Sequence, residues 1–141
     1  MTDFEKAIAF VFEAEGLASN LKGDPGGKTC IGIASAYFPA EYAVIMALPE
    51  NERLGYAKNF YFSNFWIKYR CDIRPWPCNL VYLDAAINCG PSRASQFALG
   101  NVDDYISALC KRMRWQINES KSPYTVSLLN RMYRLLQLAK G

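Results

Sequence analysis

The chain has 141 residues, half of them apolar, with 14% aromatic and 21% charged side chains and a net charge of +3. That profile fits one globular domain with a real core and excludes a disordered or low-complexity polymer. It contains no histidine, which removes imidazole-based Ser-His-Asp and Cys-His hydrolysis and leaves the usual zinc ligand sets incomplete. Hydrolytic chemistry then falls to carboxylates, or to a rarer Lys or Tyr base, with no metal and no cofactor expected.

The N-terminus, MTDFEKAIAFVFEAEG, carries acids early and has a short, interrupted apolar run, unlike a secretory signal. The expectation is a protein made in the cytoplasm without a leader. Asp3 is the expected N-cap of a first helix with Phe4, Ile8, Val11 and Phe12 along one face, ending near Glu15-Gly16. Residues 18–34 read as a small β-hairpin or irregular segment, with a type II turn at Asp24-Pro25-Gly26-Gly27.

A short helix is expected over 39–47, and a long one over about 50–66 opened by Pro49. A loop follows from Cys71 to Pro77, then a helix over 79–89 ended by Gly90-Pro91. Ser92 can cap a short helix carrying Ala94, Phe97 and Ala98. Two more helices run from Asn101 or Asp103 to about Glu119, and from Pro123 to Leu138. The sum is a mainly α, single domain over 1–141, with six or seven helices around one core.

Five cysteines, at 30, 71, 78, 89 and 110, cannot all pair within one chain. Mostly reduced, buried thiols are expected, and Cys71 and Cys78 are the best-placed pair should the compartment be oxidising. Residues 1–70 carry 7 basic and 8 acidic side chains, whereas 71–141 carry 9 and 5. From Lys111 onward 7 bases face the single acid Glu119, a balance suited to an anionic envelope. No nucleic-acid-binding motif accompanies that charge, and a specific nucleic-acid partner is not expected.

Glycoside hydrolysis needs a carboxylic acid to protonate the leaving oxygen and a second group at the anomeric centre. Glu15, at the end of an apolar-faced helix, suits the first role, although a solvated residue like Glu13 is the ordinary alternative. Asp24 also serves as a turn former, and Thr29 as a plain strand residue. Asp84 and Asn88 lie one helical turn apart and read as sugar contacts or as a buried polar pair. Trp66 and Trp76 flank a loop and offer flat surfaces for sugar rings, though aromatics at helical spacing are more often core.

The spacing of Glu15, Asp24 and Thr29 resembles the Glu-Asp-Thr triad of phage-type lysozymes. More closely, EGL followed by DPGGKTCIGI (residues 15–17 and 24–33) resembles the opening signature of glycoside hydrolase family 108. Downstream, NFYFSNFW (59–66), LDAAINCG (83–90) and SLLNR (127–131) are similar to further family blocks in the same order. Leu17, a shorter stretch between Glu15 and Asp24, and Ser127-Leu128 depart from the family pattern.

The resemblance implies a lysozyme-like muramidase of the endolysin type. It would cleave the β-1,4 bond between N-acetylmuramic acid and N-acetylglucosamine in peptidoglycan glycan strands. Glu15 would be the general acid, Asp24 would stabilise oxocarbenium charge or orient water, and Thr29 would hold that water. Asn88, Trp66 and Trp76 are the candidate substrate contacts. Alternatives are a lytic transglycosylase acting on the same bond, or an inactive wall- or partner-binding module. A monomer is expected, reaching the periplasm after holin release or dedicated export, with transient contact to the envelope through its basic C-terminal region.

Overall fold

The structure, a computed structural model, describes residues 1–17, 20–23, 28–98, 104–120 and 122–141. Among them are seven α-helices and one two-stranded antiparallel sheet, so the fold is mainly α as expected. Helix α1 spans Asp3–Glu15. Its N-cap is Thr2 rather than Asp3: Thr2 Oγ1 accepts from the Glu5 amide at 3.1 Å, and Glu5 Oε2 accepts from the Thr2 amide at 2.7 Å. This capping box satisfies two amides that the first helical turn leaves without partners. Asp3 is used elsewhere, pairing with Lys6 and accepting from Asn79 Nδ2 at 3.0 Å.

Gly16 ends α1 in the left-handed conformation, φ 65°, and donates back to Glu13 O at 3.1 Å. Glycine adopts that geometry without a Cβ penalty, so the helix stops with Glu15 as its last residue. The hairpin follows: β1 (Thr29–Cys30) pairs with β2 (Ile33–Ala34) in the register Thr29 with Ala34 and Cys30 with Ile33. Both turn residues have positive φ, 48° at Ile31 and 77° at Gly32, as a tight two-residue hairpin turn requires. The turn predicted at 24–27 lies outside the described residues.

The hairpin tip points inward, not to solvent. Ile31 is fully buried and its carbonyl accepts from the Tyr61 hydroxyl at 3.0 Å. A Cβ at Gly32 would overlap that hydroxyl and come within 3.2 Å of Leu17 Cδ1. Leu17 therefore packs against Gly32, tying the chain just after Glu15 to the hairpin. Gly32→Ala is expected to lower unfolding free energy by about 2 kcal/mol or more, from left-handed backbone strain plus the overlap. Urea unfolding measures it.

Helix α2 (Pro39–Ala47) and α3 (Glu50–Tyr61) cover one side of the hairpin. Arg53, almost buried, donates to three carbonyls, of Leu48 at 3.0 Å, Leu21 at 2.8 Å and Met46 at 3.0 Å. One side chain thus caps α2 and holds the chain that enters the glycine-rich segment. Helix α3 continues into a π-helical stretch, Phe62–Ile67, and the expected loop at 71–77 contains a 3₁₀ turn over Cys71–Ile73.

Helix α4 (Cys78–Cys89) is the axis of the molecule. Every residue from Cys78 to Ala86 is buried, the mark of a helix surrounded by others. Around it pack α1, α5 (Pro91–Phe97), α6 (Tyr105–Asn118) and α7 (Thr125–Lys140). The apolar core runs without a break from Ala7 to Ala139.

Three further boundaries differ from expectation. Gly90 with Pro91 begins α5 in place of Ser92, because Pro fits the first helical position. Asp104 caps α6, its Oδ1 accepting from the Ser107 amide at 2.8 Å, whereas Asn101 and Asp103 lie outside the described residues. Helix α7 starts at Thr125, two residues past Pro123.

All five cysteines are free thiols, Cys71 and Cys78 included. Burial pushes the Cys71 thiol up to about 12, with Arg74 opposing weakly. Cys110 is exposed, Cys89 half-buried, and Cys30, Cys71 and Cys78 are buried. In a thiol titration at pH 8, Cys110 is expected to react first, and the three buried thiols only once the protein is unfolded.

Candidate active site

Because α1 stops at Gly16, Glu15 stands at the helix end beside the last turn of α4. Its side chain keeps 29% of its accessibility. Two donors hold Oε1: Arg131 Nη1 at 2.6 Å and Asn88 Nδ2 at 3.3 Å. Asn88 Oδ1 in turn accepts from Arg112 Nη2 at 3.0 Å and from the Cys89 thiol at 3.5 Å.

Below Asn88 lies Asp84, fully buried on the same face of α4. Arg112 Nη1 donates to its Oδ2 at 2.6 Å, while Arg131 reaches Oδ1 with Nη2 at 2.6 Å and Nε at 3.2 Å. The five side chains close a ring: Glu15 from α1, Asp84 and Asn88 from α4, Arg112 from α6 and Arg131 from α7. It holds two carboxylates and two guanidiniums, so the internal charges cancel, as buried ions require.

Burial alone would raise the Asp84 carboxyl, but the Arg112 and Arg131 charges and their hydrogen bonds outweigh it and hold it below the usual carboxylate range. Burial likewise pulls on the Arg131 guanidinium, and Asp84 followed by Glu15 more than offsets it. Tyr61 is buried behind the hairpin; burial pushes its phenol up, and the nearby charge of Glu15 adds to that.

The sequence-predicted residues divide into three groups. Glu15 and Asn88 meet, and Asp84 is the buried anchor beneath them. Thr29 opens β1, half-buried, while Asp24 lies outside the described residues. Trp66 and Trp76 are at the other end of α1. Trp66 is 5% exposed, its ring 5.5 Å from that of Phe4, and Trp76 lies under the Lys6 ammonium at 4.4 Å. At 1.5 Å per residue, Lys6 and Glu15 are separated by roughly 14 Å along the helix.

Arg112 and Arg131 were not among the predicted site residues, yet they carry a recognisable signal. Each sits inside the apolar stripe of its helix: Ala108, Leu109, Arg112 and Gln116 in α6, and Arg131, Met132, Leu135 and Ala139 in α7. An arginine at a core-facing position needs a buried acid. Beside Asn88 opens a cleft of about 280 Å³ lined by Cys89, Trp115, Gln116, Ser120 and Leu128 among others. Gln116 Nε2 donates to Ser120 Oγ at 2.7 Å within it.

A part-exposed carboxylate oriented by an amide and a guanidinium is the equipment of acid–base chemistry on an uncharged bond. The family model described as Glycosyl hydrolase 108 matches residues 8–90, more than half of the chain. The chain belongs to glycosyl hydrolase family 108. It is on this ground a glycoside hydrolase, as the resemblance of the Glu15–Ile33 segment implied. Neither a curated protein nor a solved structure matches it. The family 108 match takes in Glu15, Thr29, Asp84 and Asn88, and ends before Arg112 and Arg131.

Proposed function

We propose that this family 108 chain hydrolyses the β-1,4 bond between N-acetylmuramic acid and N-acetylglucosamine in peptidoglycan, with Glu15 as the general acid. The observation that carries the reading is the placement of Glu15. It is a carboxylate at a helix end, within the family-matched segment, with Oε1 gripped by Arg131 and Asn88. Both contacts among the described residues go to Oε1, so the proton for the leaving oxygen travels on Oε2. Arg131 and Asn88 fix the carboxyl plane, which is the orientation a proton transfer needs.

The glycan strand would pass the Glu15 lip and the cleft beside Asn88. Trp115, half-buried there, offers a sugar platform nearer to Glu15 than Trp66 or Trp76. Asp24 would stabilise charge at the anomeric carbon and Thr29 would hold a water. The separation of the two carboxylates decides between inversion, about 6.5–9.5 Å, and retention, about 5–5.5 Å. The protein would act on the wall as a monomer, as an endolysin does.

The test is digestion of isolated peptidoglycan by wild type and Glu15→Gln, with mass spectrometry of the soluble fragments. Reducing muramic acid ends, lost in the variant, support the muramidase. Anhydro ends would transfer the enzyme to the lytic transglycosylases. A second reading, a wall-binding module without catalysis, is favoured by the ion pair that ties Glu15 to Arg131. Folded wild type that binds peptidoglycan and releases nothing would select it.

A further inference from the structure

Among the ring side chains, Asn88 alone carries a donor and an acceptor of nearly the same shape, and a half-turn of its amide exchanges them. Which end meets Glu15 therefore matters. In the structure Nδ2 faces Glu15 Oε1 at 3.3 Å, and Oδ1 faces Arg112 Nη2 at 3.0 Å.

Arg112 dictates that choice. A guanidinium keeps its charge and has N–H donors but no acceptor, so only the amide oxygen can meet it. It is itself fixed from behind: Arg112 is 1% exposed, with Nη1 2.6 Å from Asp84 Oδ2. Asp84 and Asn88 stand one helical turn apart on α4, and the fork of Arg112 spans that turn with one nitrogen for each. The Cys89 thiol adds a weaker donor to the same Oδ1 at 3.5 Å. Both lone pairs of that oxygen are then in use, which leaves none for a sugar hydroxyl.

The inference rests on the muramidase reading. We infer that Arg112 is a positioning residue for the acid, acting through Asn88: it keeps an N–H, and not a carbonyl, against Glu15 Oε1. A flipped amide would set Oδ1 against Glu15. That oxygen would repel the carboxylate and would accept a hydrogen bond from the carboxylic acid, giving the proton a resting place beside Oε1. With the amide held, Asn88 and Arg131 both donate to Oε1, and the proton stays on Oε2 for the leaving oxygen. The chain of fixed polarities runs from Asp84 to Arg112, then to Asn88 and Glu15.

The test is a double-mutant cycle on soluble peptidoglycan fragments, with kcat and KM measured for wild type, Arg112→Lys, Asn88→Ala and the double variant. Lysine keeps a charge for Asp84 but loses the fork that reaches Asn88. Circular dichroism at the assay temperature checks each fold. Each single variant is expected to lower kcat about tenfold to a hundredfold, with KM within about twofold of wild type. The double variant is expected to match Asn88→Ala within about twofold, because Arg112 has nothing left to act through. Should Arg112→Lys not fold, Arg112→Met with Asp84→Asn removes the fork and its counter-charge together and takes its place.

Losses that multiply in the double variant would overturn the inference and leave Arg112 a packing role. So would a raised KM with unchanged kcat in Asn88→Ala, which would make Asn88 a sugar contact. A second readout needs no substrate. In proton–nitrogen NMR the two Asn88 side-chain amide protons are expected to be well separated in wild type, one of them lying against the Glu15 carboxylate, and to draw together in Arg112→Lys. An unchanged pair would overturn the inference even where wild type released no fragments, a result that by itself strikes the muramidase reading instead.

Discussion

Asp84→Ala is expected to cost about 3–5 kcal/mol of unfolding free energy, the range for breaking a buried ion pair by removing one partner. The reason is local. Arg112 is 1% exposed and Arg131 6%, and Asp84 is the acid that both share. Removing it leaves Arg112 with an uncharged amide and Arg131 with Glu15 alone. Small domains have only about 5–15 kcal/mol in total, so the variant should unfold at a much lower urea concentration with an unchanged slope.

A companion variant, Asp84→Leu with Arg112→Met and Arg131→Met, removes the three buried charges, leaves only the part-exposed Glu15, and is expected to recover a large part of the loss. An Asp84→Ala protein that unfolds at the wild-type midpoint would show that the ring does not hold the helices together.

The same residue sets an acid limit. The Asp84 carboxyl is depressed in the folded state relative to about 3.9 in an unfolded chain. Its contribution is therefore fully present above that unfolded value and is lost as the pH falls through the folded one. Wild type is expected to lose stability below about pH 4, and the companion without Asp84 to lose less over the same interval. Urea midpoints between pH 7 and pH 2.5 read both.

Glu15→Gln is expected to lower peptidoglycan hydrolysis by about 10²–10⁴-fold, the usual contribution of a positioned general acid. Glutamine keeps the shape and an acceptor oxygen for Arg131 and Asn88, but it has no proton of carboxylic acidity to give. The lost charge weakens one partner of Arg131, and a stability change of about 1–2 kcal/mol is expected, since the Glu15 side chain is still in partial contact with water. Activity measured well below the unfolding temperature separates the two effects. A Glu15→Gln protein that clears peptidoglycan at the wild-type rate would remove Glu15 from the mechanism.

Much of this architecture is legible from residue spacing. Period-3.6 stripes and the Gly and Pro breakers locate all seven helices to within a few residues, because each helix buries one face and ends where the backbone permits. What spacing misses is the use made of polar residues by distant elements. Asp3 is a good local cap, yet Asn79, 76 residues away, claims its carboxylate while Thr2 caps the helix. Trp66 reads as a loop-edge aromatic, but α3 runs on into a π-helical stretch that turns its ring against Phe4.

The site was legible by half. Glu15 and Asn88 can be singled out from their helices and from the family resemblance, and the structure sets them 3.3 Å apart. The guanidinium that grips Glu15 comes from 116 positions downstream, and no local pattern joins the two. An arginine in each apolar stripe of α6 and α7 does announce a buried acid, but does not say which.

The ring also bears on how the chain should be divided. The match to the family 108 model stops at Gly90, one residue past α4, so a cut drawn from it would fall there. Such a fragment would keep Asp84 and Glu15 and discard both of their counter-ions, together with the helices α5–α7 that pack around α4. The family-matched segment thus supplies the two acids of an electroneutral ring, and residues 91–141 supply its two bases.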